Sequence, residues 1–275
     1  MNYKEEIAAF VRYLENEEKS RATVEKYQRD VRGFADFVKD QSLTKELTLS
    51  FKQSLVGRYA PASVNSMLVA VNAFLDFIGK SECKVKQLKI QRQLFANEEK
   101  ELSREEFRRL VSAAEDSRIS AVIQTICGTG IRVSELKYIT VEAVQSGKAT
   151  VNCKNKTRVI FIPLQIKKLL KAYIKKAGIT AGTVFVTKSG KPLDRSNIWK
   201  EMKALCRRAG VSEKKVFPHN LRHLFARTFY RVEKDIVRLA DLLGHSSINT
   251  TRIYTTDCGA DHIRSIEKVC TRLTT

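Results

Sequence analysis

From Tyr3 to about Gly79, apolar residues recur at spacings of three and four, the repeat of an amphipathic α-helix. Val24, Tyr27, Val31, Phe34 and Val38 share one face of a helix that Ser20 or Thr23 can cap. Pro61 suits the first turn of another, whose apolar face runs through Val64, Leu68, Val71, Phe74, Leu75 and Ile78 and closes at Gly79. The pattern predicts four short helices, an all-α bundle over residues 1–90. Residues 91–100 are polar, lack periodicity and read as a linker. A second domain, 101–275, opens on Ser103-Arg104-Glu105-Glu106, a capping box by spacing.

In that second domain, apolar helices run to Cys127, and a turn is expected at Gly128-Thr129-Gly130. Alternation in Ala149–Asn152 and Val159–Pro163, around the polar Lys154-Asn155-Lys156-Thr157, predicts a small β-hairpin with a longer second strand. Helices resume from Gln165, with Asp194 as an N-cap and Gly210 as a stop. The expected fold class is mainly α (α+β): an all-α bundle plus a mostly helical domain with one small antiparallel sheet.

Several polar residues stand out against this frame. In Pro218-His219-Asn220-Leu221-Arg222-His223, the three-residue spacing puts His219 and Arg222 on one face near a helix start, an arrangement suited to an anion. Taken alone, such a pair is more often a solvated surface. Arg132 follows the glycine turn, and Glu135, three residues on, can hold it or a neighbouring donor. The hairpin tip offers Lys154 and Lys156. Leu242-Leu243-Gly244-His245 reads as a helix stop followed by a histidine, and Tyr254 lies nine residues further on.

Charge changes the picture. The formal net charge of the 275 residues is +20, with a sequence pI near 9.8, and the Lys and Arg residues are spread from end to end. An extended basic surface of this kind most commonly meets a nucleic-acid backbone. No run of about 18 apolar residues exists, and residues 1–6 lack the apolar core of a secretion signal, so a soluble cytoplasmic protein with no membrane partner is expected. The six cysteines are widely spaced, with no Cys-x-x-Cys pair, and read as idle thiols.

The order Arg132, Lys154, His219-x-x-Arg222, Gly244-His245, Tyr254 resembles the phage-integrase or tyrosine-recombinase family, which includes the bacterial chromosome-dimer resolvases. The likeness covers nearly the whole chain, since Thr23-Val24-x-x-Tyr27-x-x-Asp30 and Phe34 resemble the family's core-binding domain. It implies that residues 1–90 bind DNA and 101–275 carry catalysis, the two forming a clamp on duplex DNA. The resemblance assigns Arg132 and Arg222 to the scissile phosphate, His219 to proton transfer or hydrogen bonding, and His245 to a further donor. Lys154 would protonate the departing 5′ oxygen, although Lys156 on the same turn is an alternative, and Tyr254 would attack phosphorus. It further implies a homo-tetramer on two DNA sites, docked through the tail residues Ile263, Ile266, Val269, Cys270 and Leu273; packing of that stripe on its own domain is the alternative.

The chemistry is consistent with these assignments. A phenol of pKa about 10 is mostly protonated at neutral pH, so it needs a base or nearby cations to react. Arg, Lys and His can offset the charge of a pentacoordinate phosphorane without a metal. No cofactor is expected, and no Gly-rich phosphate loop is present. His219 and His223 have zinc-site spacing, but Asn220 stands where a metalloprotease helix has glutamate. A type IB topoisomerase and an inactive DNA-binding regulator remain the competing readings.

Overall fold

The computed structural model describes residues 3–39, 41–90, 98–153, 156–187, 189–245, 247–254, 267 and 269–271. The chain forms two compact units, Met1–Arg92 and Gln93–Thr275. Among the described residues, no helix is long and apolar enough to cross a membrane.

The first unit contains helices α1 (Tyr3–Asn16), α2 (Arg21–Val38), α3 (Lys45–Leu55) and α4 (Pro61–Phe77). Their inward residues follow the helical repeat: Val24, Val31, Phe34 and Val38 of α2 and Val64, Leu68, Val71, Phe74 and Leu75 of α4 are all buried. Phe10 of α1 meets Phe74 edge-on, with ring centroids 5.4 Å apart. Asp30 is buried in this unit and is held by Lys26 at 2.9 Å, one helical turn earlier.

The second unit begins with α5 (Arg104–Ala114), whose Ser103 and Glu106 form the full reciprocal capping box. Helix α6 (Arg118–Thr129) corrects the expected turn at Gly128, since Gly128 lies inside the helix. A Cβ at Gly128 would come within 2.6 Å of Ile166 Cγ1, so the glycine serves close helix packing. Gly130 is the residue that ends α6, at φ +65°. A 3₁₀ segment (Val133–Tyr138) and α7 (Val141–Ser146) lead to strands β1 (Lys148–Cys153) and β2 (Lys156–Phe161).

The two strands are antiparallel and equally long, pairing Lys148 with Phe161 and Cys153 with Lys156. Lys156 therefore opens the second strand instead of sitting in the turn, because ladder pairing extends through the polar residues that alternation alone assigned to a loop. Helices α8 (Leu164–Ala177), α9 (Arg195–Ala209), α10 (Pro218–Glu233), α11 (Ile236–Leu243) and α12 (Ile248–Thr251) follow, and a 3₁₀ turn (Arg252–Tyr254) comes after α12. Asp194 caps α9 by accepting from Asn197 N–H, and Gly210 ends it at φ +59°. One core joins α5, α6, α8, α9, α10 and the sheet, while Tyr254 belongs to a smaller cluster with Ala226, Leu239 and Leu243. Among the described residues, Cys83, Cys127 and Cys206 are free thiols, and burial pushes the Cys127 thiol up to about 12.

Candidate active site

A cleft of about 410 Å³ opens where the start of the Val133–Tyr138 segment, α9 and α10 meet; Arg132, Ser134, Arg195, Trp199, His219 and Arg222 are in its wall. Two local features of the sequence set its floor. Gly130 turns the chain out of α6, so Arg132 emerges two residues later in extended conformation, at φ −74° and ψ 148°. Pro218 occupies the first turn of α10, and Asn220 anchors that turn by donating to Lys100 O (2.7 Å) and Lys215 O (2.8 Å). Asn220 is thus a buried latch. Among the described residues, no group of three His, Cys, Asp or Glu is placed to hold a metal.

Glu135 is the electrostatic hub. Its carboxylate accepts from the Arg132 backbone N–H (2.9 Å), from Arg132 Nη1 (2.9 Å) and from Arg158 Nη2 (2.5 Å). Burial by itself would raise this carboxyl, but the Arg132 N–H and the two guanidinium groups hold it below the usual carboxylate range. Arg132 also donates to Gly244 O at 3.2 Å, and its side chain stays 40 % exposed, open to the cleft.

Arg222 is only 2 % exposed. It donates to Gly130 O, to Leu243 O (2.7 Å) and to His245 Nε2 (3.2 Å). Burial, and next the Arg132 charge, push its guanidinium down to about 10. Arginine has five N–H groups, so donors remain for an anion in the cleft.

His245 follows the left-handed Gly244 that ends α11, and its Nδ1 lies 2.9 Å from Thr251 Oγ1. Because a guanidinium can only donate, Nε2 accepts from Arg222 and the proton sits on Nδ1, which donates to Thr251. Burial and the charges of Arg222, Arg132 and Arg158 push His245 down to about 4, in keeping with this neutral tautomer. Burial and the same two cleft arginines, with Arg195, also lower His219.

Tyr254 is 3 % exposed and is not part of the cleft wall. Its ring stacks on His245, with centroids 5.9 Å apart, and meets His223 edge-on at 4.7 Å; His223 in turn touches His219 at 4.4 Å. The structure therefore brings Arg132, His219, Arg222, His245 and Tyr254 into one neighbourhood. Lys154 lies outside the described residues, as do His262, Ile263, Ile266 and Leu273; Val269 and Cys270 are exposed.

Arg158, Arg195, Trp199 and Thr251 were not singled out by motif, and His223, weighed for its zinc-site spacing with His219, packs against His219 and Tyr254. For Arg158 a signal existed: it shares the inward phase of its strand with the buried Ile160, whereas Val159 and Phe161 point outward, and an arginine on a buried strand face calls for partners.

Residues 100–258 match the phage integrase family, and residues 7–81 match its N-terminal SAM-like domain. The chain belongs to the phage integrase family. Among curated members of that family, it is 30% identical to tyrosine recombinase XerA of Pyrococcus furiosus over 263 residues, 91% of this chain and 89% of that protein. A crystal structure of XerA recombinase is similar at TM-score 0.54 and 27% identity, over 97% of this chain and 98% of that one. The fold is also that of a lambda integrase dimer bound to a COC′ core site, at TM-score 0.74 and 16% identity, over 91% and 94% of the two chains.

Proposed function

We propose that this phage integrase family member is a site-specific DNA recombinase that cuts and rejoins strands through a 3′-phosphotyrosine on Tyr254. The observation that carries this reading is the convergence of Arg132, His219 and Arg222 on one cleft, with Tyr254 packed against the histidine to which Arg222 donates. A phosphodiester in the cleft receives donors from both arginines and from His219. As Tyr254 gives its phenolic proton to the His219 imidazole and its oxygen bonds to phosphorus, the 5′ oxygen leaves, and the two guanidinium groups offset the charge gathering on the non-bridging oxygens. Lys154, which follows β1 in the sequence, protonates the leaving 5′ oxygen. The phosphotyrosine retains the energy of the broken phosphodiester, so a 5′ hydroxyl from another strand can reverse the step without nucleotide or metal.

Tyr254 is covered in the described arrangement, so attack requires DNA binding to bring its hydroxyl into the cleft. In this reading, residues 1–90 serve as the core-binding domain and 101–275 as the catalytic domain, the pair acting as a clamp on duplex DNA in the cytoplasm. Four copies act on two sites, linked through the C-terminal tail. The DNA-bound states named for related structures, a lambda integrase dimer on a core site and a lambda integrase tetramer on a Holliday junction, support such an assembly.

The test is incubation with a library of nicked random-sequence duplexes, followed by denaturation and sequencing of DNA that stays attached to protein. A recurring site is expected from the wild type and none from Tyr254→Phe. Absence of any covalently held DNA with the wild type would overturn the reading.

A further inference from the structure

Arg158 projects from the inward face of β2, and its side chain is only 15% exposed. It joins three segments that are remote in sequence. Nη2 donates to Glu135 Oε2 at 2.5 Å, Nη1 donates to Leu242 O at 2.6 Å, and the Cδ–Nε portion lies directly over Gly244, where an added Cβ would approach Cδ to 2.5 Å. Its Nε is buried without a partner. As a device for stability alone this is a poor choice, because an apolar side chain of the same length would fill the space without desolvating a charge. What the guanidinium adds is geometry. The carboxylate it grips is the one that orients Arg132, and the carbonyl it grips lies three residues before His245.

We propose that Arg158 is a positioning residue of the recombination site: it ties the strand β2 to Glu135 and to the Leu242–His245 turn, and so fixes Arg132 and His245 where a phosphate is to be gripped. The proposal rests on the recombinase reading above. Arg158 is not part of the cleft wall, and it acts through the two groups it braces. Gly244 is part of the device, since any side chain there would displace the Arg158 stem.

The experiment uses the full chain and a nicked suicide duplex carrying a site captured by the wild type. Single-turnover formation of the covalent adduct, DNA affinity and thermal unfolding are measured for Arg158→Lys, Arg158→Met and Gly244→Ala. Lysine keeps the charge but replaces the planar fork, whose two nitrogens reach Glu135 and Leu242 O separately, with a single flexible ammonium. We expect the lysine variant to fold and bind DNA like the wild type while cleaving about a hundredfold more slowly, the size of effect that a small misplacement of a catalytic group produces. Gly244→Ala is expected to reproduce this loss.

A second substrate, with sulfur as the bridging 5′ atom, departs without needing a proton. If Arg158 works through Arg132 and His245, the defect persists on this substrate. Full recovery there would overturn the proposal and place the effect on the hairpin lysine instead. Cleavage by Arg158→Lys and Arg158→Met within about threefold of wild type would overturn it outright. Because wild type is assayed beside them, failure of the recombinase reading, seen as no adduct from any protein, is distinct from failure of the Arg158 proposal.

Discussion

The imidazole of His223 meets the ring of Tyr254 edge-to-face, with centroids 4.7 Å apart and planes at 90°. The same imidazole touches His219, so one helical turn of α10 connects the cleft to the tyrosine. His223 Nε2 is buried without a hydrogen-bond partner, and burial, then His219 and Arg222, push the residue down to about 4.

The burial of His223 beside His219 and Arg222 has a pH signature. The unfolded chain takes up a proton near pH 6.5 while folded His223 does so only near 4, so between those values the unfolded state binds more protons. The His223 contribution to stability is fully present above about pH 6.5 and is lost as the pH falls toward 4. Chemical denaturation at pH 7.5 and pH 4.5 should show acid destabilisation that shrinks by roughly 2 kcal/mol in His223→Gln, allowing for solvent screening of a half-buried group. An unchanged pH dependence in the variant would assign the loss to other groups, His245 first among them.

Tyr254→Phe keeps the ring packed between His223 and His245 and removes only the hydroxyl. DNA affinity and the melting temperature should stay near wild type, whereas covalent trapping on a nicked suicide duplex should vanish. Trapping that survives would locate the nucleophile elsewhere.

Arg132→Ala and Arg222→Ala should each slow cleavage by orders of magnitude, about 3 kcal/mol or more of barrier, by leaving phosphorane charge uncompensated. They should differ in stability. Arg132 is partly exposed, and its removal should lower stability little, because Glu135 keeps Arg158 as a partner. Arg222 is buried, and its loss strands the Gly130 and Leu243 carbonyls, so unfolding free energy should drop by roughly 2–3 kcal/mol more than for Arg132→Ala. Equal melting curves for the two variants would contradict a structural contribution from the Arg222 hydrogen bonds to Gly130 and Leu243.

Ending the chain after Asp261 removes the apolar stripe Ile263, Ile266, Val269, Cys270 and Leu273, which is too short to be stable as an isolated helix. If the stripe docks on a neighbouring copy, single-site binding should persist while pairing of two sites and strand exchange fall. Gel-shift and recombination assays with two-site DNA separate the outcomes: normal synapsis argues against docking in trans, and a truncated protein that does not fold argues for packing on its own domain.

What could be read directly from the chain was local or periodic. Helical spacing places Val31 and Phe34 or Leu68 and Phe74 on buried faces whatever the partner, because the 3.6-residue repeat and the removal of apolar surface from water act within one element. Capping at Ser103 and Asp194, the stop at Gly210, the mainly helical class and the ordered run of Arg, His and Tyr motifs that marks the family are of the same kind. Tertiary structure decided the rest. Gly128 was legible as a turn until Ile166 was seen packed against it, and Lys156 belonged to a loop until its pairing with Cys153 drew it into a strand. Arg158 meets Leu242 across 84 positions and Arg222 meets Gly130 across 92, and no spacing rule reaches that far. The same holds for the proton on His245, the depressed titration of His223 and the covering of Tyr254. Each depends on charges, carbonyls and rings brought together only when α6, β2, α10 and α11 pack, so the motif names the residues while the fold sets their electrostatics and their access to substrate.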